Sequence, residues 1–123
     1  MAQLYNLKAG VALSTDVVPV LQAPTAAAAN GAIAITPSTV VITKSGVCAL
    51  TLGTPTTAQN GTVITIVAGT AAAHTVTAAT IGFNAANGAG DVATFGGAIG
   101  DNMTVLAYEG EWLILNSVNV TLG

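Results

Sequence analysis

Charge is what this sequence lacks most. Only 6% of its 123 residues are charged, against about 25% in an ordinary soluble domain. The charged residues are Lys8, Lys44, Asp16, Asp91, Asp101, Glu109 and Glu111, for a net charge of -3. There is no arginine, and two lysines cannot build the basic footprint that phosphate contacts need, so nucleic acid is disfavoured as a partner. A single cysteine, Cys48, excludes an intrachain disulfide. It sits in the alternating run Val47–Leu52 and reads as a small buried or half-buried residue. Long apolar runs are missing too. Pro19 breaks Val17–Leu21, Thr or Gly interrupts every later stretch, and none reaches the ~20 residues of a membrane helix. Met1–Lys8 lacks the basic start and unbroken apolar core of a secretory signal. The expectation is no membrane partner and assembly in a cytoplasm.

What is present is apolar: 52% of the residues are hydrophobic. Disordered chains combine low hydropathy with high net charge, so this chain should fold, and its length suits one domain. A folded monomer of this mass exposes on the order of 6,000 Å². Seven charges leave most of that area to Thr, Asn, Gly and Ala, with little charge repulsion against self-association. Either the Thr and Asn residues solvate the surface, or other subunits cover much of it. The second is the expectation carried forward.

Residues 1–32 read as an extended N-terminal arm and residues 33–123 as the folded domain. The arm holds frequent apolar residues, among them Leu4, Tyr5, Leu7, Val11, Leu13, Val17 and Val18. Anchors this frequent suit an arm that folds onto a partner and docks in its grooves better than a free tail. The alanine tract 26–29 favours a short helix over 24–29, but Asn30-Gly31 ends it early and so short a helix is marginal. A loop leading into the domain is the other reading.

From residue 33 the pattern is β. Strands are predicted at 33–36, 39–43, 47–52, 62–68, 74–80, 91–95, 103–108, 111–116 and 118–122, from β-branched enrichment and period-two alternation between turn residues. In Thr62–Val67 the alternation puts Val63 and Thr65 on one face and Ile64 and Ile66 on the other. The clearest hairpin joins 103–108 to 111–116 across Glu109-Gly110. No strict repeat is visible, which argues against a solenoid or propeller. The fold class is all-β: an antiparallel, jelly-roll-like sandwich or barrel.

The inventory for chemistry is short. His74 has no G-x-S-x-G nucleophile elbow to serve and no second His or C-x-x-C for a metal site; it reads as a turn or subunit-contact residue. Asp91, Asp101, Glu109 and Glu111 resemble no EF-hand loop, although calcium would need about six to eight oxygens. A polysaccharide-cleaving pair would need two carboxylates about 5–9.5 Å apart, and no motif singles two out. The glycine-rich stretches 88–90 and 95–100 fit no phosphate loop. No enzyme, cofactor or metal is expected. Tyr108 and Trp112 flank the best hairpin. Trp112 reads mainly as core beside Ile114, with a sugar-stacking platform of Tyr108 and Trp112 as the alternative.

Several segments together resemble tailed-phage virion proteins. They are Gly61–Thr70 with Ala73–Thr77, and at the end Ala93–Asp101, Met103–Tyr108, Gly110-Glu111-Trp112 and Asn119–Leu122. A Gly-Asp step into an apolar strand, then a Gly-x-Trp hairpin, is similar to the closing domain of phage head-decoration and fibre proteins. The resemblance covers roughly residues 33–123. It implies a capsid decoration (cement) protein of a bacteriophage virion. Such a protein sits as a homotrimer on the outer head surface and stabilises contacts between major capsid protein subunits. The apolar arm residues, Leu4 to Val18, then resemble contacts to the capsid or to a sister subunit. The alternative the resemblance implies is a head-fibre or tail-tip domain that binds host surface glycan.

Overall fold

The computed structural model describes residues 21–123. Among these are ten β-strands: β1 Thr25–Ala27, β2 Gly31–Ala32, β3 Ser38–Ile42, β4 Ala49–Thr51, β5 Val63–Ala68, β6 Thr75–Thr77, β7 Val92–Phe95, β8 Asn102–Tyr108, β9 Glu111–Val118 and β10 Val120–Leu122. A single 3-10 turn, Thr57–Gln59, precedes β5. The strands form two five-stranded sheets that are not closed into a barrel. Sheet one has the order β9-β8-β5-β3-β1 and sheet two β10-β7-β6-β4-β2. The expected all-β, sandwich-like fold is present.

Strand pairing is mixed, because the chain turns corners between the sheets before it makes hairpins. It alternates sheet one, sheet two from β1 to β6, so neighbours within a sheet run the same way: β1, β3 and β5 are parallel, and so are β2, β4 and β6. Antiparallel pairing, expected throughout, is confined to β5-β8-β9 in sheet one and β6-β7-β10 in sheet two. The first half is thus a short stack of coils. The inner coil has the same length in both sheets, since Val40 lies beside Ile66 and Leu50 beside Val76. This is a structural repeat where the sequence shows no strict one. Over residues 38–52 set against 64–78, only Thr39/Thr65, Val41/Val67 and Thr51/Thr77 are identical.

The alanine tract begins as strand and leaves it at a corner, with no helix. Thr25–Ala27 pairs in parallel with Val40–Ile42, since a ladder along an existing sheet outweighs the intrinsic preference of a helix too short to hold itself. Residues 25–32, placed with the arm by sequence, supply the outermost strands of both sheets among the described residues. Residues 33–36, predicted as a strand, lead irregularly into a bend at 35–37 instead, anchored where Ile33 N–H donates to the Thr51 carbonyl at 2.8 Å.

The core lies between the sheets. Alternation in β5 buries Ile64 and Ile66 and leaves Val63 outward, as the pattern predicts. They meet Phe95, Met103, Val105 and Trp112, all essentially inaccessible. Trp112 also donates its indole N–H to the Gly53 carbonyl at 2.8 Å, so its polar edge is satisfied where its ring is buried. The β8–β9 hairpin forms as predicted: Tyr108 faces Glu111. The two turn residues, Glu109 and Gly110, both have positive φ (48° and 79°), as the two-residue turn that matches strand twist requires. Asn60 braces this turn. Its side-chain oxygen accepts from Glu109 N–H at 2.8 Å, and its amide donates to the Glu109 carboxylate.

Candidate interaction surface

Strand register fixes which side chains share the outside of each sheet. On sheet one, in-register neighbours form rows across the strands. One row is Ala26, Val41, Val67, Asn102 and Val118; a second is Thr39, Thr65, Thr104 and Asn116; a third is Val63, Leu106 and Leu113. Thr65 and Thr104 join hydroxyls at 3.1 Å. Sheet two presents different chemistry. Its outer rows are Ala49, Thr75, Thr94 and Thr121, then Thr51, Thr77 and Val92. Most of these positions are threonine, which can hydrogen-bond to water along a flat face.

Among the described residues, the charges stand aside from the middle of both faces. Lys44, Asp91, Asp101 and Glu109 lie in connections, and only Glu111, opening β9, touches the margin of the sheet-one face. Outer faces of antiparallel sheets ordinarily alternate to polar residues. Sheet two follows that rule through threonine. Sheet one departs from it, since Val41, Val63, Val67, Leu106, Leu113 and Val118 point outward. The two aliphatic rows lie either side of the Thr39, Thr65, Thr104 and Asn116 row, on a face of four strands over about six residues, about 400 Å² in all. Near it Tyr108, Leu115 and Val118 are each more than half exposed. A bulge between Ile114 and Asn116 leaves Leu115 unpaired in the register, the usual way a strand re-aims side chains at a sheet margin.

The sequence-predicted residues fall in three groups. Leu4, Tyr5, Leu7, Val11, Leu13, Val17 and Val18 lie outside the described residues. Tyr108 is exposed at the hairpin turn. Trp112 is inaccessible, so the paired aromatic platform is not formed: an indole inside the sandwich offers no face to a sugar. His74, expected in a turn or subunit contact, is also buried. Its Nδ1 accepts from Cys48 N–H at 3.1 Å, and its Nε2 lies 3.1 Å from both the Thr70 carbonyl and hydroxyl. A backbone N–H can only donate, so Nδ1 carries no proton in this geometry and Nε2 does. His74 and Cys48 are stacked corner positions of successive coils, joined again where Thr75 N–H donates to the Cys48 carbonyl at 3.0 Å. The histidine therefore ties coils together.

The carboxylates act locally. Asp91 accepts from Gly88 N–H at 2.7 Å. Asp101 accepts from Ala98 N–H at 2.9 Å and from the Asn119 amide at 3.0 Å. These bonds, the Ala98 one foremost, hold its carboxyl below the usual carboxylate range although burial opposes them. Burial raises the Cys48 thiol above its ordinary value, and the Lys44 ammonium partly offsets this. Among the described residues, no three His, Cys, Asp or Glu side chains gather as a metal site, and no helix is long and apolar enough to cross a membrane. Comparison with protein-family models, curated proteins and solved structures found no match.

Sequence reasoning missed the sheet-one face. Each of its strands alternates, which the pattern shows, but both alternating sets are largely uncharged. Which outward sets lie side by side is decided by register, and parallel coils bring Val41 beside Val67 across a whole turn of the stack.

Proposed function

We propose that this chain is a structural virion protein, a capsid decoration protein. It assembles as a homotrimer on the outer surface of a phage head and bridges major capsid protein subunits. The observation that carries the reading is the pair of aliphatic rows on the outer face of sheet one, with Val63, Leu106 and Leu113 in one row and the only described charge on that face, Glu111, at its margin. Such a face buries favourably against a copy of itself or a shell subunit, at about 25 cal/mol per Å² of apolar area. The threonine face of sheet two stays toward water. The resemblance of residues 33–123 to head-decoration proteins supplies the capsid and the threefold order. The apolar arm, with Leu4, Tyr5, Leu7, Val11, Leu13, Val17 and Val18, supplies the anchor. Association costs limit what one contact returns, so attachment depends on many copies acting together on a closed shell.

The test is the native mass by light scattering over a range of concentrations, for the wild type and for Leu106→Glu. A charge in the middle of the aliphatic row must be desolvated to be buried between subunits. The expected result is three times the 12.0 kDa chain mass for the wild type and a folded monomer for Leu106→Glu. On heads stripped of the protein, deletion of residues 1–20 should abolish attachment while the β domain remains folded. A wild type that is monomeric at every concentration and does not coat heads overturns the proposal.

A further inference from the structure

The sequence holds three Asn-Gly steps, Asn30-Gly31, Asn60-Gly61 and Asn87-Gly88. Such a step can react with itself. Glycine has no Cβ to keep its amide nitrogen away from the preceding side-chain carbonyl, so that nitrogen can attack the carbonyl carbon and expel ammonia. An amide nitrogen is a poor nucleophile until a base removes its proton. All three asparagines are exposed, so exposure does not rank them. Hydrogen bonds do.

Two of the steps are held in unreactive arrangements. Asn60 uses both ends of its side chain on Glu109, accepting from the N–H and donating to the carboxylate. Gly61 N–H donates to the Ala107 carbonyl at 2.8 Å, and a backbone carbonyl does not take up the proton. Asn30 accepts from Ala49 N–H at 3.0 Å, and Gly31 is fixed in β2 beside Leu50.

At Asn87 the partner of the glycine nitrogen is a base. Gly88 N–H donates to the half-buried Asp91 carboxylate at 2.7 Å, inside the ~2.6–3.2 Å reach of a general base. Ala89 and Gly90 N–H both donate to the Ala86 carbonyl, at 3.0 and 2.6 Å, and Gly88 has a φ of 85°. Asn87-Gly88 is therefore the centre of a tight turn whose positive φ suits glycine. The space a Cβ on Gly88 would take is open. The surrounding loop is pinned: Phe83 N–H donates to Gly90 and Ala78 N–H to Asp91, each at 2.8 Å, and Asn84 accepts from Ile114 N–H at 2.9 Å. Nitrogen and base are thus held together before any reaction.

We propose that Asn87 is a self-modification site, where the Gly88 nitrogen attacks the Asn87 side-chain carbonyl carbon and Asp91 acts as general base. Asp91 takes the Gly88 proton as the new N–C bond forms. When the tetrahedral intermediate collapses, the Cγ–Nδ2 bond breaks and Asp91 returns the proton to the departing ammonia. The product is a cyclic succinimide. Water then adds to either of its carbonyls and opens the ring to aspartate or isoaspartate, so the sum consumes water and releases ammonia. The new carboxylate stands close to Asp91 on a chain of net charge -3, and isoaspartate adds a backbone methylene inside the Ala86–Gly90 turn. The site works whether or not the chain decorates a capsid.

The experiment incubates the full-length wild type in warm neutral buffer, folded and in urea. Site-resolved mass spectrometry, with fragmentation that separates isoaspartate from aspartate, gives the rate at each Asn-Gly step. Folded Asn87 should convert at least ~10-fold faster than in urea, as a positioned base requires, while Asn30 and Asn60 convert more slowly than in urea. Asp91→Asn keeps an oxygen that accepts from Gly88 but cannot take its proton, so conversion at Asn87 should slow by ~10²-fold. Folded Asn87 converting no faster than in urea overturns the proposal, and this comparison needs no variant to fold. A folded Asp91→Asn protein that converts at the wild-type rate overturns it too.

Discussion

Replacing Trp112 separates a core residue from a binding platform, and the structure fixes how large the effect should be. The indole is inaccessible and packs within a core that includes Phe83 and Phe95, and its N–H donates to Gly53 at 2.8 Å. Truncating a buried Trp to Ala destabilises by about 3–5 kcal/mol through lost transfer and the cavity left behind. Losing the Gly53 bond adds about 1 kcal/mol. Trp112→Phe keeps most of the packing and loses the hydrogen bond, so it should cost about 1–2 kcal/mol. Against a total stability of about 5–15 kcal/mol for a domain, Trp112→Ala approaches complete unfolding while Trp112→Phe does not. In a domain of this size, the Phe variant should melt about 4–10 °C lower. The assay is urea unfolding followed by far-UV circular dichroism, with the slope against urea unchanged for the Phe variant. A surface residue can be truncated with changes within about 0.5 kcal/mol. A Trp112→Ala midpoint equal to wild type would therefore refute the buried placement and restore the stacking platform. A wild-type emission spectrum that quenches freely with iodide would do the same.

Three further outcomes follow from the geometry. A Cβ on Gly96 would overlap the Asn119 side-chain amide, so Gly96→Ala must displace Asn119 and break its bond to Asp101. Overpacking of this kind costs about 1–3 kcal/mol, read as a lower urea midpoint, and a neutral substitution would contradict the close approach. Asp101 titrates below its unfolded value, so its contribution is present above the ordinary carboxylate range, near pH ~4, and is lost as pH falls through the folded value. Asp101→Asn should therefore flatten the fall of melting temperature on acidification, whereas a variant as acid-sensitive as wild type would refute the assignment. Cys48 is inaccessible and its thiol is raised by burial, so it should resist maleimide in the native protein and react in urea; native labelling at the unfolded rate would show that the coil corner is open.

Much of the strand inventory is legible in the sequence because it is written in short-range chemistry. Val63 to Val67 alternates, Glu109-Gly110 supplies a turn whose two residues both take positive φ, and Asp101 follows glycine at the entry of β8. Each signal needs only near neighbours in the chain. Trp112 as core beside Ile114 belongs to the same class, since strand alternation alone assigns its face.

What tertiary structure decided was partnership. Ala26 and Ala27 prefer helix in isolation, yet a preformed ladder on β3 makes them strand. His74 looks like a turn residue until the neighbouring coil supplies Cys48 N–H to its Nδ1. Asn119 and Asp101, far apart in the chain, become one hydrogen-bonded pair across a loop. The parallel stacking of β1, β3 and β5 rests on register between segments a full coil apart, and period-two patterning carries no record of which strand lies next to which. The sequence by itself determined that this protein would be β, sparsely charged and without an intrachain disulfide, because those follow from composition and local alternation. Only the tertiary structure sorted the uncharged side chains into a threonine face and an aliphatic face, because a face is made by neighbours in space and the chain order does not contain them.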